Sequence, residues 1–184
     1  MNWSLVALDD TAPQPWRNGG GVTRELLAWP DAASWRVRLS VADVQAAGPF
    51  SVFPGIERWF AVLEGEGVAL RMAGRDHRLT AADAPLRFDG AAAVDCALLV
   101  GPTRDFNLMA APGAARMQRV DGSLRLAAAG PGLLAVYAHG APATLAFAGQ
   151  QLHLPPRHLA WCLAERPQAL DLRATDALWI EAKP

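Results

Sequence analysis

The sequence predicts an all-β protein, a sandwich or barrel of many short strands with little helix. Three observations lead there. Short apolar runs recur at close spacing, and 16 glycines and 14 prolines punctuate them. Residues 35–41 alternate, with Trp35, Val37 and Leu39 set against Arg36, Arg38 and Ser40, the period of a half-buried strand. Turn chemistry also sits where hairpins need it, as in Glu64-Gly65-Glu66-Gly67.

In chain order, residues 59–63 form a short apolar strand that runs into this turn, and 68–73 lead to a second turn at Gly74-Arg75-Asp76. Further strands are expected at 86–88, 94–100, 124–126, 133–137, 144–147, 159–163, 170–172 and 177–181. The one candidate helical turn is 41–47. Residues 61–74 and 135–149 echo each other as strand, glycine turn, strand, glycine turn. Between the copies, residues 109–122 hold Pro112-Gly113 and Asp121-Gly122 and read as a join. That join divides the chain into 1–110 and 111–184.

Composition bounds the function. The 184 residues are 52% apolar with a formal charge of −1, so a sizeable core is available and nothing electrostatic points to nucleic acid. Apolar segments 91–100 and 133–138 are too short to cross a bilayer, and the first residues lack the pattern of a signal peptide. No membrane association is expected. Cys96 and Cys162 each lie in an apolar run and read as buried thiols of a cytoplasmic protein.

Pro15-Trp16-Arg17-Asn18-Gly19-Gly20-Gly21-Val22-Thr23-Arg24-Glu25 is the stretch most suggestive of a site. Its glycines lack the spacing of a dinucleotide site and the Lys-Ser/Thr ending of a phosphate loop. They do allow close approach of a ligand or another chain to the backbone. After it come Arg38-Leu39-Ser40-Val41-Ala42, Gly48-Pro49-Phe50-Ser51-Val52-Phe53-Pro54-Gly55-Ile56-Glu57-Arg58, Phe88-Asp89-Gly90, and Gly101-Pro102-Thr103-Arg104-Asp105-Phe106-Asn107-Leu108-Met109. In order and type these motifs resemble the HutD/Ves family of the cupin superfamily, bacterial proteins often linked to histidine utilisation. Arg17 stands where that family commonly has lysine. The resemblance implies a bicupin, two stacked β-barrel or jelly-roll halves in one chain. The motifs fall in 1–110, and 111–184 would be a degenerate second half.

Cupins often hold a metal with His and Glu side chains from the first barrel motif. Here that region reads Phe53 to Gly65 and has no histidine, and His77, His139, His153 and His158 are scattered. His153 and His158 flank a proline turn and read as rim residues, so no metal and no cofactor are expected.

A metal-free site must work by polar contacts in a barrel mouth. Candidate ligand-binding residues are Trp16, Arg17, Asn18, Thr23, Glu25, Arg38, Ser40, Arg58, Asp105 and Asn107. Paired arginines suit a dicarboxylate, and Asn18 and Asn107, each donor and acceptor, suit an amide, formyl or formimino group. Competing accounts stand beside these. Arg58 serves equally as an ion-pair partner for Glu57 or Glu25, Glu25 reads better as an arginine partner than as a general base, and Asp105 and Asn107 read as turn caps. By resemblance the expected partner is a small anionic metabolite, a glutamate derivative such as formimino- or formylglutamate. A metal-independent hydrolase or isomerase and a stress-induced interaction protein are the alternatives. An exposed strand edge would favour a homodimer.

Overall fold

The computed structural model describes residues 2–183, the side chain of Ala128 apart. Strand β1 (Ser4–Ala7) comes first. Then follow β2 (Gln14–Pro15), β3 (Gly21–Trp29), β4 (Val37–Val44), β5 (Gly48–Pro49), β6 (Glu57–Glu64), β7 (Val68–Met72), β8 (Arg75–Leu79), β9 (Leu86–Asp89), β10 (Val94–Leu98) and β11 (Thr103–Ala110). The remainder carries β12 (Ala115–Ala129), β13 (Gly132–Ala138), β14 (Ala143–Phe147), β15 (Gln150–Leu154), β16 (His158–Ala164) and β17 (Gln168–Ala182). Among the described residues there is no helix, so the all-β expectation holds.

Two compact units result: Ala12–Gly113, and Met1–Thr11 together with Ala114–Pro184. The first eleven residues thus go with the second unit, whereas the sequence placed them with 1–110. The cause is pairing: β1 runs antiparallel to β16, Ser4 opposite Trp161, and Asp9 forms an ion pair with Arg157. Residues 41–47 are not helical. Val41–Val44 continue β4, which is bonded to β3 on one side and β11 on the other, and both partners hold it extended. The expected join at 109–122 shrinks to residues 111–114, because β12 already pairs with β17 from Ala115. Its arginines and glutamine on the solvent side hide that strand in the sequence. Residues 170–172 and 177–181 likewise merge into the single strand β17.

In the unit of residues 12–113 one sheet has the order β2-β3-β4-β11-β6-β9 and the other β5-β10-β7-β8. In the second unit β17 pairs with β12, β13 and β14, β13 pairs with β16, and β14 with β15. The pairings match, with β4, β6, β7, β8 and β9 corresponding to β12, β13, β14, β15 and β16. The long β17 takes the places of both β10 and β11. The sequence echo marks the same correspondence. Both hairpins turn through an Ala-Gly pair in the left-handed region, Ala73-Gly74 at φ 47° and 75° and Ala148-Gly149 at 48° and 74°. Such dihedrals belong to the tight turn whose twist matches its strands.

The interiors of the two units differ. Val62 faces Asp105 across β6 and β11, and its sequence counterpart Val136 faces Trp179 across β13 and β17. Trp179 is fully buried and packs with Leu134, Val136, Leu145 and Cys162. The second interior is thus filled with apolar side chains, while the first carries a carboxyl group. Both cysteines are buried and form no disulfide.

Asp105 is 0% exposed. Its Oδ2 accepts from Thr103 Oγ1 at 2.8 Å, and its Oδ1 has no partner. Burial pushes its pKa up to about 7, against the lowering effect of the Thr103 hydroxyl and with a smaller upward push from Asp43. The unfolded chain gives up this proton near pH 4 and the folded chain only near 7. The stability this group contributes is therefore full below pH 4 and is lost as pH rises toward and through 7.

The glycine run has a packing cause as well. Trp16 N–H donates to Gly21 O at 2.9 Å and Gly19 N–H to Trp16 O at 3.0 Å, closing a tight hairpin between β2 and β3. A Cβ on Gly21 would lie 2.4 Å from the Asp43 carbonyl oxygen and 3.3 Å from the Trp16 ring. Gly21 is therefore required where β3 meets β4 under an indole, a role the sequence did not reveal.

Two outcomes follow. Gly21→Ala should lower unfolding free energy by about 1–3 kcal/mol in urea titrations, the range for forced overpacking. Asp105→Asn, which keeps the acceptor for Thr103, should gain stability relative to the native chain as pH rises. The difference in melting temperature between the two should be more positive at pH 8 than at pH 5. A pH-independent difference would mean that Asp105 titrates normally.

Candidate functional site

Strand alternation builds the site. Arg38 and Ser40 on β4, Arg58 and Phe60 on β6, and Asn107 and Met109 on β11 lie on one face of the sheet. Asn107 stands opposite Ser40 on one side and Phe60 on the other, and Met109 opposite Arg38 and Arg58. These side chains, the β2–β3 hairpin and the 49–53 loop line a cavity of about 590 Å³. The volume suits a small metabolite.

Arg58 sits at the base and is 6% exposed. Its Nη2 donates to Asn107 Oδ1 at 2.8 Å and its Nη1 makes a long 3.4 Å contact with Ser51 O. Its Nε is buried without a partner. The guanidinium lies over three rings, 5.0 Å from the centroid of Phe50, 5.2 Å from Phe88 and 5.8 Å from Phe53. Among the described residues no carboxylate pairs with it. Glu25 is taken by Arg38, at 2.6 Å, and Glu57 lies 3.7 Å from Arg87. The ion-pair account of Arg58 therefore fails. Burial, and then repulsion from Arg38, push its pKa down to about 10, so it stays charged at neutral pH.

Of the ten candidates, Trp16, Arg17, Asn18, Thr23, Arg38, Ser40, Arg58 and Asn107 line this one cavity. Arg17 and Asn18 are exposed on the hairpin at its rim, and Trp16 Nε1 donates to Thr23 Oγ1 at 2.7 Å in its wall. Glu25 and Asp105 are not among the lining residues. Glu25 holds Arg38, and Asp105 is buried one strand step beyond Asn107. Each amide oxygen already accepts one bond, Asn18 Oδ1 from Gly20 N–H and Asn107 Oδ1 from Arg58, which fixes the amide orientation and leaves both NH₂ groups unspent.

Sequence reasoning missed Gln14, Phe50, Ser51, Phe53, Phe60 and Met109 as lining residues. The segment 48–55 reads as turn chemistry, yet its two phenylalanines in an otherwise exposed, proline-flanked loop were a usable signal for a ring cage. Among the described residues no three His, Cys, Asp or Glu side chains converge as metal ligands. Thr144 Oγ1 lies 3.2 Å from His153 Nδ1, and His158 Nδ1 lies 2.9 Å from Pro156 O.

Comparison with known proteins agrees with the motif pattern. A family model described as HutD matches residues 8–180. A Pseudomonas putida protein described as an uncharacterized 21.2 kDa protein in the hutC 3′ region is 40% identical over 66% of this chain and 66% of its own length. Protein Ves of Citrobacter koseri is 36% identical over 51% of this chain and 50% of its own. The chain thus matches under two thirds of the length of these relatives. The solved HutD of Pseudomonas fluorescens SBW25 superposes with a TM-score of 0.83 at 29% identity, covering 98% of this chain and 97% of that one. At 7% identity, an oxalate decarboxylase variant of Bacillus subtilis shares the fold alone, with a TM-score of 0.67 over 97% of this chain and 77% of its own. The motifs, the cupin-like all-β fold and the family match make this chain a member of the HutD family.

Proposed function

We propose that this protein is a metal-free bicupin that binds a small anionic metabolite, a glutamate derivative such as formimino- or formylglutamate. In this reading it is a cytoplasmic accessory or regulatory protein of histidine utilisation. The observation that carries it is Arg58, a guanidinium buried at the base of a cavity without a carboxylate partner. A buried unpaired charge costs several kcal/mol, which an anionic ligand offsets on arrival. Arg17 adds positive charge at the rim of the same cavity, and Arg38, whose charge Glu25 balances, contributes further donors.

The strand correspondence between the two units supports the bicupin reading, and the Ala-Gly hairpin turns support it again. Three guanidiniums around one cavity disfavour a metal cation there. The pathway rests on family membership and on the hutC 3′ region to which the Pseudomonas putida relative belongs. Turnover would need a general base facing the ligand. Glu25 is held by Arg38 and Asp105 lies outside the lining, so the geometry favours binding over hydrolysis or isomerisation.

Calorimetric titration with N-formyl-L-glutamate tests the reading. Arg58→Met should weaken binding by roughly 1.5–3 kcal/mol, the range for a hydrogen bond to a charged group. Removal of the unpaired buried charge should also leave the melting temperature of the free protein no lower. At the exposed rim, Arg17→Ala should cost only about 0.2–1 kcal/mol. Native affinity in the Arg58 variant would remove that residue from the site.

A further inference from the structure

Every polar side chain whose orientation is fixed in this cavity turns a donor toward it. Asn107 Oδ1 accepts from Arg58 Nη2 at 2.8 Å, Asn18 Oδ1 from Gly20 N–H at 3.0 Å, and Thr23 Oγ1 from Trp16 Nε1 at 2.7 Å. A guanidinium, a backbone N–H and an indole N–H can only donate, so neither amide can be flipped. Both asparagines are left with NH₂ groups for a ligand, and Thr23 with its hydroxyl proton. Arg38 spends Nε on Glu25 and keeps its terminal nitrogens. Among the described residues, no aspartate or glutamate lines the cavity, while three arginines do.

A carboxylate finds donors on several sides of such a cavity. An ammonium finds no carboxylate among the lining residues and meets like charge instead. We infer that the cavity selects amine-free polycarboxylates and rejects ligands of the same length that carry a cationic nitrogen, because arginines and no carboxylate line it. The inference rests on the anion-binding reading and goes beyond it. It separates glutarate from L-glutamate, which differ by an ammonium group. It also separates N-formylglutamate, whose amide is neutral, from N-formiminoglutamate, whose amidine is a cation at neutral pH.

Calorimetric titration of the intact chain at pH 7.5 with these four compounds is the test. Glutarate should bind at least ten-fold tighter than L-glutamate, and the formyl compound at least ten-fold tighter than the formimino compound. Equal or tighter binding of the cationic member of either pair would overturn the inference while leaving the anion-binding reading intact. Binding by none of the four would overturn both. Asn107→Asp supplies a second readout, since it places a carboxylate at the base of the cavity. It should weaken glutarate ten-fold or more and bring the glutarate-to-glutamate ratio toward one. An unchanged ratio in a folded variant would contradict the assignment of selectivity to this donor set.

Discussion

A guanidinium at the base of a cavity with no carboxylate beside it is an unusual thing for a small domain to keep. Arginines are seldom fully buried unless paired, because the protein interior replaces water poorly around a charge. Here the replacement is assembled from parts. Phenylalanine faces stand around Arg58, and each such contact contributes on the order of 0.5–2 kcal/mol. Asn107 supplies a single acceptor. Arginine suits this arrangement better than lysine would, being planar and more weakly hydrated. The result is a charge that is tolerated rather than satisfied, with the open direction facing the cavity.

The rest of the unit follows from keeping that arrangement in place. Period-two alternation on β4, β6 and β11 sends Arg38, Ser40, Arg58 and Asn107 to one face, while Leu39, Ala61, Phe106 and Leu108 pack on the other. Glu25 neutralises Arg38 and keeps it from joining Arg58 as a second unpaired charge. On the opposite face, Asp43 bridges Arg24 and Arg104, both at 2.6 Å, and ties β3, β4 and β11 across the sheet. Burial alone would raise the pKa of Asp43, but the hydrogen bonds from the two arginines outweigh it and hold the carboxyl ionised. In the second unit the same strand plan encloses the apolar Trp179 at the position that corresponds to Asp105. Related pairing patterns thus give one interior with a buried indole and one with a buried carboxyl group.

Much of this was legible in the sequence. Strand alternation at 35–41 and the echo between 61–74 and 135–149 follow from local rules that the chain obeys. Eight of the ten residues chosen from the family motifs meet in one cavity. What stayed hidden depends on contacts between distant residues. The attachment of β1 to β16 is a long-range pairing with no local signature. The partner of Glu25 was one of several arginines, and only register puts Arg38 beside it. That Asn18 and Asn107 each already accept a bond within the protein is likewise invisible in the sequence. Trp16 reads as a pocket wall, but the requirement for Gly21 beneath its ring appears only once β3 and β4 are paired.

The central claim is that Arg58 is the anchor for an anionic ligand, and a crystal structure grown in excess glutarate tests it most directly. The account predicts one carboxylate within hydrogen-bonding distance of Arg58 and the Asn107 amide nitrogen, with the other directed toward Arg17. Glutarate absent from the cavity, or Arg58 turned onto a carboxylate of the protein itself, would contradict it.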